Sequence, residues 1–357
     1  MLVAPDGSAT GSVSGGCVEG AVYELARQVA RSGVPTLRRY GVSDDAAVEV
    51  GLTCGGAIEV YVERVDATNF TEFAAVAAAL RQGRPTAVVT CVGVRCADPA
   101  RRLGRRLVVW PDHTAGSLGD DRLDAAAAAD ARGMLAAGRT GELRYGYHGQ
   151  RRGDELRLFV ATHVAPPRMI VFGAIDFAAA VARIGAFLGY RVTVCDARPV
   201  FLTPRRFPQA HEVVVDWPHR YLRSEAAAGR LDARTVVCVL THDPKFDVPV
   251  LEVALRLPLA YVGAMGSRRT HRDRMARLRA AGLTEAELAR LSSPIGLDLG
   301  ARTPEETAVS IAAEIVAVRW GGTGAPLRAT DTRIHRDAPT AVAVPADPLV
   351  APMFQSG

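Results

Sequence analysis

Residues 11–20 read Gly-Ser-Val-Ser-Gly-Gly-Cys-Val-Glu-Gly, and Val18, Val22, Leu25 and Val29 recur behind them at helical spacing. The spacing predicts an amphipathic helix opening just after Cys17. A thiol there meets backbone N–H groups and the positive end of the helix dipole, which favour the thiolate. Gly15 and Gly16 carry no Cβ, so a bulky ligand can approach the sulfur closely. The stretch Gly-Leu-Thr-Cys-Gly-Gly over residues 51–56 repeats the chemistry, with Cys54 ahead of Gly55 and Gly56. The alternation of Ile58, Val60 and Val62 after it predicts a strand. The competing reading is that both cysteines are small packing residues beside tight turns.

An internal repeat bears on that choice. Without gaps, residues 11–41 match residues 116–146: Gly11-Ser12 falls on Gly116-Ser117, Gly33 on Gly138, and Arg39-Tyr40-Gly41 on Arg144-Tyr145-Gly146. Val18 and Val29 fall on Leu123 and Met134, which keeps one buried helical face. Val60-Tyr61-Val62 matches Leu158-Phe159-Val160 at a shorter offset. Two copies of one supersecondary unit are expected. The second copy has Arg122 in place of Cys17 and lacks the loop that carries Cys54. The unit therefore folds without the cysteine loops, and their presence in one copy points to function. Upstream, Leu2-Val3-Ala4-Pro5-Asp6 matches Val108-Val109-Trp110-Pro111-Asp112. The second copy is preceded by a helix with Phe73, Val76 and Leu80 on one face and by a strand over Thr86–Val94. The first copy has no such elements, so an N-terminally shortened chain is expected.

A chain of 357 residues can hold two or three cored domains. No run approaches a membrane span and no signal peptide opens the sequence, so a soluble, cytoplasmic protein is expected. Six cysteines in this length do not make a disulfide framework. Cys195 and Cys238 lie in strand-like runs and are expected in the core, while Cys91 and Cys96 lack companions for a zinc site. The net charge of +5 rests on scattered arginines, with Lys245 the only lysine, which argues against nucleic-acid binding.

The paired prolines Pro166-Pro167 mark a hinge, giving a first domain over 1–165, a second over 166–320 and a disordered tail over 321–357. In the second domain strands are expected at Arg168–Phe172, Arg191–Asp196, Glu212–Asp216, Thr235–His242 and Leu259–Gly263. Helices are expected near Phe177–Leu188, Val248–Leu257, Arg268–Ala281 and Pro304–Trp320. This alternation predicts an α/β fold overall: a duplicated N-terminal α/β unit, then a Rossmann-like, doubly wound parallel sheet. The first strand–helix turn, Gly173-Ala174-Ile175-Asp176, has isoleucine where a dinucleotide fingerprint needs glycine. Asp176 would also face a phosphate with a carboxylate, so NAD(P) is disfavoured. Asp196 stands where a ribose-binding acid belongs, or caps the following loop. Gly263, Gly266, Ser267, Arg268 and Arg269 combine glycines, a helix cap and guanidiniums into an anion site. The alternative is an ordinary capped turn. His242 and Asp243 lie on the same expected sheet edge.

The motifs GSVSGGCVEGAV, YGVSDDAAVEVGLTCGG, THDPKFD, YVGAMGSRR and GLDLGARTPEETAVSIAAEI, spread over roughly residues 11–320, resemble the XdhC/CoxI family of xanthine dehydrogenase accessory proteins. The resemblance implies a chaperone that transiently binds molybdenum cofactor and helps its sulfuration and insertion into a molybdenum hydroxylase. It also implies a homodimer that meets its client enzyme and a cysteine desulfurase. It draws Glu19, in the first motif, into the candidate cofactor-binding set with Gly15, Gly16, Cys17, Cys54, Gly55 and Gly56. Family members often carry Gly-Ala-Gly-His where this chain has Gly173-Ala174-Ile175-Asp176. Molybdenum cofactor is an anionic pterin with a phosphate and a metal taking soft ligands, so a thiolate suits one end and a helix N-terminus the other. Two other readings stand beside it: an NAD(P)-dependent oxidoreductase with a degenerate fingerprint, and a cofactor-free assembly factor for apo-hydroxylase.

Overall fold

A computed structural model describes residues 1–41, 57–95 and 102–331. The chain divides into two compact units, Met1–Ala165 and Pro166–Gly357. In the first, β1 (Leu2–Val3) and β2 (Ala9–Thr10) form a hairpin, followed by α1 (Glu19–Ser32) and the antiparallel pair β3 (Thr36–Gly41) and β4 (Ala57–Val62). Then come α2 (Phe73–Arg81), β5 (Thr86–Val94), β6 (Arg106–Val109), β7 (Thr114–Ser117), α3 (Asp121–Ala137), β8 (Gly141–Tyr145) and β9 (Leu156–His163).

The duplication holds to the residue. The pairs Leu2↔Thr10 and Val3↔Ala9 of β1–β2 correspond to Val108↔Ala115 and Val109↔Thr114 of β6–β7. Tyr40↔Ile58 through Thr36↔Val62 correspond to Tyr145↔Leu156 through Gly141↔Val160. A one-residue slip would turn every side chain to the other face, so shared register keeps equivalent side chains on equivalent faces, although Ile58, Val60 and Val62 are half-buried where Leu156, Leu158 and Val160 are buried. Both helices end on a left-handed glycine, Gly33 at φ 70° and Gly138 at φ 61°.

In the second copy β5 lies between β6 and β9, giving the sheet order β7-β6-β5-β9-β8. Among the described residues the first copy has no counterpart of β5, and its two hairpins are separate two-stranded sheets. Val89, Cys91, Leu107, Leu123, Ala127 and Leu158 are in the core between α3 and the larger sheet. The face expected for α2 is displaced. Phe73 and Leu80 are exposed, while Val76 and Ala79 are buried with Phe70, Val108 and Trp110. Phe70 precedes the helix and stacks edge-on against Phe73, which rotates the buried stripe toward Val76 and Ala79.

The second unit has six parallel strands: β10 (Arg168–Phe172), β11 (Arg191–Asp196), β12 (Glu212–Val215), β13 (Val236–Val239), β14 (Tyr261–Ala264) and β15 (Leu291–Ser292). Their spatial order, β12-β11-β10-β13-β14-β15, is that of dinucleotide-binding sheets. The order reverses between β10 and β13, and the C-terminal ends of those strands make the crevice where such sheets take ligands. Helices α4 (Asp176–Phe187), α5 (Pro218–Ala227), α6 (Pro244–Ala254), α7 (Arg268–Ala280), α8 (Glu285–Leu288) and α9 (Pro304–Trp320) connect and cover the strands. α6 begins four residues ahead of the expected Val248, because Asp243 caps it and Pro244 is tolerated in its first turn. α5, α8 and β15 go beyond the expected elements; α5 is polar and buries chiefly Tyr221, Leu222 and Glu225. Residues 321–331 follow α9 with a short turn of 3-10 helix at Leu327–Ala329, and the rest of the expected tail lies outside the described residues. No helix among the described residues is long and apolar enough to cross a membrane.

Candidate functional site

In the first unit the loop before α1 is built around one carboxylate. Glu19 Oε1 accepts the hydroxyl of Ser12 at 2.6 Å and the N–H groups of Val13, Ser14 and Gly15 at 3.1, 2.8 and 2.9 Å. Its Oε2 accepts the Ser14 hydroxyl at 2.9 Å and the N–H groups of Gly16 and Val18 at 2.8 and 3.2 Å. The Cys17 N–H donates to Ser14 Oγ at 3.1 Å. These bonds, the Ser12 hydroxyl foremost, hold the Glu19 carboxyl far below the usual carboxylate range. The side chain expected to meet a cofactor thus serves the loop itself. The helix N-terminus that would favour a thiolate is shared with this carboxylate.

Cys17 is half-buried one residue ahead of the helix cap, Val18. Gly15 and Gly16 have φ of 80° and 122°, and a Cβ on either would meet nothing within 4 Å. Glycine is required there by the backbone and leaves open space beside the thiol. Cys54, Gly55 and Gly56 lie outside the described residues, as does Cys96.

In the second unit, Asp196 at the end of β11 is buried. Its Oδ2 accepts the Ala174 N–H and Arg198 Nη2, both at 2.8 Å, and its Oδ1 accepts Arg198 N and Nε at 2.8 and 2.9 Å. Burial works against the charge, but Arg198 and the two backbone N–H groups outweigh it and keep the carboxyl below its ordinary range. Asp196 thus caps its own loop and ties it to the β10–α4 turn. Arg198 also feels the charge of the Asp243 carboxylate, which follows β13. Asp243 caps α6 through the Lys245 N–H at 3.0 Å and pairs with Lys245 Nζ at 3.1 Å. His242 beside it is exposed, at φ 68° the one non-glycine with positive φ among the described residues. Strain of this kind collects at ligand sites.

Gly263 is inside β14 rather than in the turn after it. A Cβ there would sit 2.5 Å from Ile295 Cδ1, so its role is packing. The turn proper holds Gly266, at φ 155°, and Ser267, which caps α7 through the Thr270 N–H at 3.1 Å. Arg268 and Arg269 are exposed in the first turn of α7. Guanidiniums at a helix N-terminus suit an anion.

Two residues outside the sequence-derived set join these stretches. Buried Arg274 donates Nη2 to Asp247 Oδ2 at 2.8 Å and to the Met265 carbonyl at 2.7 Å, and Nη1 to Ser293 Oγ at 2.9 Å. Asp247 in turn accepts the Thr241 hydroxyl. The turn with His242 and the turn with Gly266 are thereby clamped side by side. Asp247 stands in THDPKFD, but in an arginine-rich helix nothing in the sequence marks Arg274 as the buried one.

Cys195 and Cys238 are fully buried in this sheet, and burial pushes the Cys238 thiol up to about 12. They are core thiols. No group of metal-ligating side chains occurs among the described residues.

The Rossmann-domain model of XdhC proteins matches residues 169–315, and the XdhC and CoxI family model matches residues 1–41 and 79–146. The chain belongs to the XdhC and CoxI family. It is 27% identical over 321 residues to a Bacillus subtilis protein named as a probable xanthine dehydrogenase subunit, covering 89% of this chain and 87% of that one. It is 27% identical over 319 residues to the molybdenum cofactor insertion chaperone PaoD of Escherichia coli, covering 89% and 77%. A 175-residue match at 32% identity to the E. coli protein YqeB spans 48% of this chain and 31% of YqeB. A crystal structure described as a xanthine dehydrogenase from Bacillus halodurans shares the fold, with a TM-score of 0.62 at 24% identity over 88% of this chain and 84% of that one. The XdhC and CoxI model passes over residues 42–78, the span holding Cys54 and the start of α2.

Proposed function

We propose that this XdhC/CoxI chain is an accessory chaperone that binds molybdenum cofactor and helps its sulfuration and insertion into a hydroxylase of the xanthine dehydrogenase type. The observation that carries the reading is the alignment with PaoD over 89% of the chain. The two candidate sites fit the cargo chemically. Cys17 beside two open glycines offers a soft ligand with room for a bulky group. The first turn of α7, with Arg268 and Arg269, offers donors for a phosphate. Cys54 is proposed to work with Cys17 on metal or sulfur in the first unit, and His242 and Asp243 to work with the α7 turn on a pterin or phosphate in the second. On the family resemblance, the partners are the client hydroxylase, a cysteine desulfurase and a second copy of the chain, in the cytoplasm.

The test is co-purification with molybdenum cofactor, with molybdenum quantified per chain. Cys17→Ala should leave the melting temperature nearly unchanged and lower molybdenum retention, and Cys17→Ala with Cys54→Ala should abolish it. Parental stoichiometry in a folded double mutant would point to a cofactor-free assembly factor instead.

A further inference from the structure

The internal repeat supplies a control for the Cys17 loop, because Asp124 occupies in the second copy the place of Glu19 in the first. Among the described residues the shorter Asp124 side chain accepts only the Ser117 hydroxyl at 2.6 Å and the Leu118 N–H at 2.7 Å, the counterparts of Ser12 and Val13. Three other amides of that loop are served differently. Gly119 N–H donates to Ser117 Oγ at 2.9 Å, and Arg122 and Leu123 N–H donate to Asp120 Oδ1 at 3.0 Å each. In the first copy, where Cys17 stands, Gly15, Gly16 and Val18 all point their N–H groups at the longer Glu19. A carboxylate at this position is thus common to both copies. Its extra methylene, and the extra N–H groups it gathers, belong to the cysteine copy alone.

We infer that Glu19 is a positioning residue for Cys17: it fixes the glycine loop that presents the thiol and does not itself contact the cargo. Gly15 and Gly16 then serve a second purpose. Their positive φ turns successive N–H groups inward onto one carboxylate, a geometry a side chain at either position would strain. Take the carboxylate away and the Gly16 N–H is left to water, while the Gly15 and Val18 N–H groups keep only Ser12 Oγ and Ser14 Oγ, each at 3.1 Å, on hydroxyls that have lost their own anchor. The loop then loosens and Cys17 is no longer held half-buried. The consequence for cofactor handling rests on the reading of Cys17 as the working thiol; the positioning itself does not.

The telling variant is Glu19→Asp, because Asp124 shows that aspartate here supports the hairpin and helix while reaching only the first two donors. Cys17 alkylation by iodoacetamide, followed on the Cys17 peptide by mass spectrometry, should accelerate at least about tenfold, the equivalent of one charge-assisted hydrogen bond lost. Hydrogen exchange at the Gly15 and Gly16 amides should rise with it, and the melting temperature should hold. Glu19→Gln, which keeps the length but turns an NH2 toward N–H donors, should behave alike. Asp124→Asn should leave the Cys17 rate unchanged. An alkylation rate within about twofold of the parent in both Glu19 variants overturns the inference. If Glu19→Asp accelerates alkylation while Cys17→Ala leaves molybdenum retention intact, the positioning stands and the cofactor reading falls.

Discussion

Gly263 and Gly15 both flank candidate sites in the sequence, yet a Cβ would mean different things at the two. At Gly15 it would meet open space on a backbone of positive φ, whereas at Gly263 it would press on Ile295 and on Tyr261 Cε1, 2.7 Å away. Gly263→Ala is therefore an overpacking change, expected to destabilise the second unit by about 1–3 kcal/mol. The folded fraction should bind inorganic phosphate as the parent does. Denaturant unfolding alongside a phosphate titration separates the two effects: affinity lost with stability intact would return Gly263 to the site. Asp196 carries a similar lesson. An acid at the end of the second strand looks poised for a ribose, but both of its oxygens are engaged by Arg198 and the turn beside it.

At the scale of elements, the strand order favours a dinucleotide and the first strand–helix turn opposes it. Ile175 caps α4 where the pyrophosphate would need glycine, the Ala174 N–H is committed to Asp196 at 2.8 Å, and Asp176 brings its carboxylate to the helix start. Arg206 pairs with Asp176 at 3.1 Å, but both groups reach solvent, which screens the pair and leaves it weak. Isothermal titration with NAD or NADP should accordingly show no micromolar binding. A micromolar affinity would revive the oxidoreductase reading and place the dinucleotide across the β10–β13 crevice. The contrast between α4 and α7 is one of charge: the first opens on aspartate, the second on Ser267, Arg268 and Arg269.

Across the whole molecule, stability is tied to ionised carboxylates. Arg230 foremost, then Arg168, hold Glu225 below its ordinary 4.5, and Arg198 holds Asp196 below its ordinary 3.8 against the pull of burial. Arg151, helped by Tyr145, does the same for Asp130 in the first unit. Each of these groups has a lower pKa folded than unfolded, so its contribution is full above the unfolded value and is lost as the pH falls through the folded one. Thermal melts should be flat from about pH 8 to about pH 5.5 and drop steadily below about pH 4. A melting temperature that instead falls between about pH 7 and pH 5.5 would mean that histidines, not these carboxylates, set acid stability.

The repeat, the parallel sheet and most element boundaries are legible in the order of residues, because they follow from local periodicity, glycine caps and chain order. Strands Arg168–Phe172 and Arg191–Asp196 and helix Pro304–Trp320 have the bounds expected from the sequence, and Thr303 caps the helix. The candidate stretches were legible for the same reason: a cysteine among glycines and arginines after a capped turn are local signals. The task of each polar group in those stretches emerges only once the chain is folded. That Glu19 turns its carboxylate onto its own loop, that Asp196 is closed off by Arg198, that Gly263 makes room for Ile295, and that Arg274 is the arginine of α7 drawn inward to Asp247 all depend on partners brought together in space. Periodicity assigns a face to a residue, but hydrogen-bond partners and close packing are set by distances between atoms, which the order of residues along the chain does not contain.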